Sequence, residues 1–291
     1  MRARIKLTLL SILFLSQTSF ATSLDKKEER CFPETNIQIP VQVSNFFESE
    51  IPTGLSKSEF NEVVAKFHNF WNPILQTKYD KKLFFQNKWE EARIDASATR
   101  DDDNNLIIKV FGGLARHPEM TKNAMLMILC HELGHYLGGA PKPFRGKSKK
   151  RQWSSAEGQA DYFATSKCLP KMISQGEIYA EKIYHIDESL CSTDICKKIL
   201  PTALSVGNLF ASLKEDWKNP TPELRSRHRV RSTFYKHPNP QCRLDTFIAG
   251  SLCTRELDVD FDNQDHRIGA CIEEFDPEAA RPSCWFSTTK Y

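Results

Sequence analysis

The chain has 291 residues, 40% of them hydrophobic and 26% charged. That is the balance of an ordinary globular protein, with length enough for one large domain or two small ones. The formal net charge is +3, and Arg2, Arg4 and Lys6 supply all of it, so global charge gives no reason to expect a nucleic-acid partner.

Residues 1–21 read as a secretory signal. A basic start is followed by the apolar run 7–15 and then Ser19-Phe20-Ala21, with small residues where a signal peptidase inspects the chain. Cleavage is expected after Ala21. The apolar run is too short to span a bilayer comfortably. No later run reaches about 18 apolar residues, so no membrane span is expected after signal cleavage. The expectation is an exported protein, periplasmic or secreted.

There are nine cysteines, and seven lie at or beyond residue 168. In an oxidising compartment such a cluster is most simply a disulfide framework. Cys130 lies inside an apolar run and is expected to be the odd one out. The other eight, Cys31 included, can form four bridges, with about 105 possible connectivities. A second metal site on Cys191 and Cys196 is the sharper alternative.

Residues 22–55 are polar, carry three prolines and read as an extended lead-in. Ser56-Lys57-Ser58-Glu59 then fits a capping box, and Phe60, Val63, Val64, Phe67 and Trp71 recur at helical spacing. Pro73 is expected to end that helix. Residues 83–111 look like sheet: Leu83-Phe84-Phe85, an alternating stretch around Ala92 to Ala98, the turn Asp101 to Asn105, and Leu106 to Val110. The last two runs describe an antiparallel hairpin. The acidic turn lacks the spacing of a calcium loop and reads as a solvated tip.

A helix is expected from an N-cap at Thr121 to about Leu137, apolar on every side from Ala124 to Cys130 and stopped by Gly138-Gly139. It carries His131-Glu132-Leu133-Gly134-His135. One turn apart, His131 and His135 project from a shared face and can grip one Zn²⁺, while Glu132 can act as general base on its water. Residues 142–153 carry six positive charges, which either flank a substrate groove or form a solvated loop. A second helix, opening at Ser154 and running to about Cys168, sets Glu157 and Asp161 one turn apart. Glu157 can be the third ligand and Asp161 can orient an imidazole; Ser154 and Glu157 also fit a capping box, which leaves Asp161 without a task. Further core helices are expected around 203–217 and near Phe247. Residues 255–291 read as an irregular, cysteine-stapled tail packed on the main domain, residues 22–254.

Together these residues resemble the gluzincin metallopeptidases of the HtpX and CaaX-prenyl-endopeptidase type, especially the soluble periplasmic members. The resemblance rests on Asp95-Ala96-Ser97-Ala98, Gly113-Leu114, residues 131–135, Glu157-Gly158-Gln159-Ala160-Asp161, and His237-Pro238 with Arg243 six residues after the histidine. It covers roughly 92–168 and 235–252. It implies an α+β, zincin-like fold, mainly helical, with a small antiparallel sheet before the helix of His131 and His135. It implies one catalytic zinc held by His131, His135 and Glu157, with Glu132 as general base and Asp161 behind the first histidine. His237 would reach the metal or steady the reaction intermediate, or else be a hydrogen-bonded core histidine, and Arg243 would support substrate or transition state. Strand 106–110 would be the edge along which an extended protein or peptide substrate lies. The implied activity is hydrolysis of peptide bonds in unfolded or envelope proteins. A zinc-stabilised chaperone or binding module with little turnover is the alternative.

Overall fold

The computed structural model describes residues 29–41, 54–144, 150–180 and 187–289. The signal-like start and the middle of the basic loop lie outside these residues. The first long helix, α1 (Lys57–Tyr79), opens on the expected capping box: Ser56 accepts from the Glu59 amide, and the Glu59 carboxylate accepts from the Ser56 amide. It does not stop at Pro73. Proline removes one ladder bond, but the apolar stripe runs on through Trp71 to Leu75, both buried. The helix ends only where Asp80 turns left-handed, at φ 52°.

A short strand β1 (Glu29–Arg30), then β2 (Leu83–Lys88), β3 (Ala96–Arg100) and β4 (Leu106–Phe111) form one sheet in the order β1-β3-β4-β2. The β3–β4 hairpin is antiparallel, with Ala98 opposite Ile108. Because that hairpin reverses the chain, β4 returns parallel to β2, with Leu83 opposite Leu106 and Lys88 opposite Phe111. The sheet is therefore mixed, where an antiparallel one was expected. The same pairing corrects the expected substrate strand: β4 is hydrogen-bonded on both sides and has no free edge for a peptide. The outer rim of the hairpin belongs to β3, and β1 pairs along it, so β1 and β2 are the edge strands among the described residues.

A single turn α2 (Gly112–Ala115) leads to α3 (Lys122–Leu137), capped by the Thr121 hydroxyl on the Ala124 amide. Every residue from Ala124 to His135 is buried. After Gly138, Gly139 takes φ +66° and the chain leaves the helix. α4 (Glu157–Phe163) crosses α3 at close range and continues through a π-helical stretch (Ala164–Cys168) into α5 (Leu169–Ser174). The helices α6 (Asp194–Ser212) and α7 (Pro240–Leu252) complete the helical layer. None of the helices in the described residues is long and apolar enough to cross a membrane.

The cysteines pair as Cys130–Cys168, Cys191–Cys196, Cys242–Cys284 and Cys253–Cys271, and Cys31 is the free thiol. The expected roles of Cys130 and Cys31 are thus exchanged. The close packing of α3 on the π-helical stretch brings the Cα atoms of Cys130 and Cys168 to 5.6 Å, inside the reach of a disulfide. Cys191 and Cys196 are also bridged, which removes the alternative metal site. Two bridges hold the irregular segment beyond residue 254 on the helices, and its Trp285 is fully buried.

Candidate metal centre

Two helices build the site. α3 supplies His131, Glu132 and His135, and α4 supplies Glu157 at its first residue and Asp161 one turn later. A glycine sets their separation. A Cβ on Gly134 would lie 2.8 Å from the Ala160 carbonyl oxygen and 2.9 Å from its Cα, so only glycine lets the helices approach this closely. Gly158, unusual inside a helix, has an equally local cause: the Trp285 indole lies where its Cβ would be. Glu157 is not a capping residue. The N-cap of α4 is Ala156, without a side-chain cap, and the Ser154 hydroxyl finds no partner.

Each imidazole is held by its Nδ1. The His131 Nδ1 is 2.7 Å from Asp161 Oδ1, and the His135 Nδ1 is 3.1 Å from the Ser155 carbonyl oxygen. A carbonyl and a carboxylate accept, so both Nδ1 atoms carry the hydrogen, and both Nε2 atoms present a lone pair. Those Nε2 atoms are buried and lack a hydrogen-bond partner, as does Glu157 Oε2. The His131 Nε2 is 3.3 Å from Glu157 Oε2, and the His135 Nε2 is 3.7 Å from Glu157 Oε1. Ligands about 2.1 Å from a tetrahedral zinc are separated by about 3.4 Å. Buried polar atoms are costly when unsatisfied, and these three converge within 4.8 Å. The residues present fit a divalent metal ion.

Glu132 is fully buried and neither carboxylate oxygen has a partner. Burial raises its pKa well above the usual carboxylate range, because desolvation disfavours the charged form. Burial also lowers His135 to about 4, which favours the neutral, ligating form. For Asp161 burial opposes ionisation, but Arg243 and His131 outweigh it and hold the carboxyl below its ordinary value.

His237 does come to the site. Its Nε2 is 3.5 Å from Glu157 Oε1 and 2.7 Å from the Arg30 carbonyl oxygen, to which it donates. It is not part of the three-residue cluster. Arg243 lies elsewhere than a substrate-supporting residue would. It is 1% exposed, with Nε and Nη2 on the two Asp161 oxygens at 2.8 and 2.6 Å, Nη1 on the Cys31 carbonyl, and its cation over the Phe210 ring. It positions Asp161, which positions His131. Cys31 was missed as a site residue. Its Sγ, a His131 ring nitrogen and a Glu132 carboxylate oxygen lie within 4.8 Å of one another. The one available signal was the odd cysteine count combined with a cysteine far upstream of the rest.

No family model matches the chain. No curated protein and no solved structure is significantly similar to it either. The functional reading therefore rests on the site itself.

Proposed function

We propose that this is an exported zinc endopeptidase of zincin-like fold, acting on unfolded or envelope proteins. The observation that carries the reading is the convergence of three buried, partnerless donors with a partnerless carboxylate on the adjoining residue. His131, His135 and Glu157 would hold the ion. A zinc ion in such a site acts as a Lewis acid toward a carbonyl and acidifies water from about 15.7 toward about 7. Glu132 takes the proton of the attacking water and passes it to the leaving amine. Asp161, clamped by Arg243, keeps His131 in its tautomer. His237 donates from the rim to a peptide carbonyl, the role in which the Arg30 carbonyl now engages it. The resemblance to gluzincins of the HtpX type supports the same assignment.

The test is a pair of measurements on the mature chain: zinc stoichiometry, and cleavage of unfolded proteins with and without chelator. One zinc per chain and chelator-sensitive cleavage are expected, with cleavage lost and zinc retained in Glu132→Gln. Proteolysis that persists in that variant refutes the role of Glu132. A second reading has its own observation, since all four site residues are at most 4% exposed. A zinc-stabilised chaperone or binding module would show stoichiometric zinc, no cleavage, and equal protection of an unfolded client by wild type and Glu132→Gln.

A further inference from the structure

The rim of β3 away from β4 is the one an extended peptide beside the site would pair with, and the chain's own N-terminal segment is already lying on it. The pairing is antiparallel and extends beyond the two residues of β1. Glu29 stands opposite Ala98 and Arg30 opposite Ser97, the Cys31 amide donates to the Ala96 carbonyl, Gln38 bridges Arg93, and the Ile39 amide donates to Ala92. Strand addition of this kind draws its affinity from main-chain hydrogen bonds and is how extended peptides bind sheet edges. The carbonyls of this segment meet the site's own donors: Arg30 is on His237 at 2.7 Å and Cys31 is on Arg243 at 2.9 Å. The Cys31 thiol, 1% exposed, faces His131 and Glu132, both buried with partnerless atoms. A water attacking beside Glu132 needs that volume.

We propose that residues 29–31 are an autoinhibitory strap, which fills the peptide edge of β3 and sets the Cys31 thiol in the space beside Glu132 that water must enter. The inference rests on the peptidase reading and names how that site is kept latent. The anchoring supports a segment that can leave while the rest stays. Downstream, Phe32 is buried against Phe210 at 5.1 Å between centroids, and Arg116 grips the Ile39 carbonyl through Nε and Nη2. Residues 30 and 31 themselves bring one exposed arginine and one small side chain, so their release uncovers little apolar surface. A peptide substrate must displace them to reach the edge, which couples thiol exposure to substrate binding.

The experiment uses the zinc-loaded mature chain with its four disulfides intact. Alkylation of Cys31 by iodoacetamide is followed by mass spectrometry, with and without a saturating peptide hydroxamate. Cleavage of an unfolded protein is then compared for wild type, alkylated wild type, Cys31→Ser and Cys31→Ala. The strap predicts that the hydroxamate speeds Cys31 labelling. It also predicts that alkylated protein cleaves about 10-fold faster, as expected if the strap is closed nine parts in ten. The alanine variant is expected to be activated as well, and circular dichroism reports whether each variant is folded. Labelling that is unchanged by the hydroxamate, or cleavage that alkylation leaves unchanged or abolishes, overturns the strap. If no form cleaves anything, the peptidase reading fails, and the labelling experiment still decides whether a bound peptide displaces residues 29–31.

Discussion

Replacing Gly134 by alanine tests whether the approach of α3 to α4 is what completes the candidate metal site. The added Cβ would meet the Ala160 backbone at 2.8–2.9 Å. Ordinary carbon contacts begin near 3.5 Å, so the helices must part by about 0.6–0.7 Å. Overpacking of this kind costs about 1–3 kcal/mol, while alanine recovers about 1 kcal/mol of helix propensity over glycine. The net change in stability of the metal-free protein is thus only about 0–2 kcal/mol. The metal is a sharper reporter. Ligand distances tolerate about 0.2 Å, and the displacement moves Glu157 away from both histidines by several times that. A loss of about 10–100-fold in zinc affinity is expected, the range seen when a ligand's support is disturbed. Competition against a chromophoric chelator measures it. Gly207→Ala is the control: the nearest atoms to its Cβ belong to the Pro220 ring and not to α3 or α4, and zinc affinity is expected to be unchanged. Wild-type zinc affinity in Gly134→Ala would show that the close crossing does not set the ligand geometry.

Other outcomes follow from the same structure. Asp161→Asn leaves the Arg243 guanidinium buried without its carboxylate and is expected to cost about 3–5 kcal/mol in denaturant unfolding; a loss under 1 kcal/mol would mean that the pair is not formed. The Cys130–Cys168 bridge closes 38 residues, so its removal by alanine at both positions is expected to cost up to about 4 kcal/mol. Alkylation in denaturant without reductant should label one cysteine, Cys31, and a label at Cys130 would refute the pairing. His117, buried and 2.9 Å from Ser212 Oγ, accepts the Glu119 amide on Nδ1, and burial lowers its pKa from 6.5 to about 4. Below pH 6.5 the unfolded chain binds a proton that the folded one refuses. Stability is therefore full above 6.5 and falls as pH drops toward 4, by at most about 3 kcal/mol. His117→Gln is expected to flatten that part of the pH–stability curve relative to wild type, and an identical slope would rule His117 out as its source.

Much of this protein is local and therefore written along the chain. The capping box at Ser56, the limits of α3 from Thr121 to Leu137 and the β3–β4 hairpin depend on neighbours a few residues away, and each is found where the sequence places it. His131, Glu132 and His135 share a helix face for the same reason, and the spacing of Glu157 and Asp161 matches them in kind. What spacing cannot carry is which helix faces which. Only the crossing at Gly134 and Ala160 turns Glu157 toward two imidazoles, and only the position of α7 aims Arg243 at Asp161 and not at the opening. Pairing across the sheet is likewise non-local. The parallel return of β4 beside β2 removes its free edge, and the docking of residues 29–31 on β3 brings Cys31 to His131 across a hundred residues of sequence. The cysteines show the division most clearly. Their number and the odd one left over are properties of the sequence, while the identity of the free thiol depends on which Cα atoms the packed helices bring within about 6 Å.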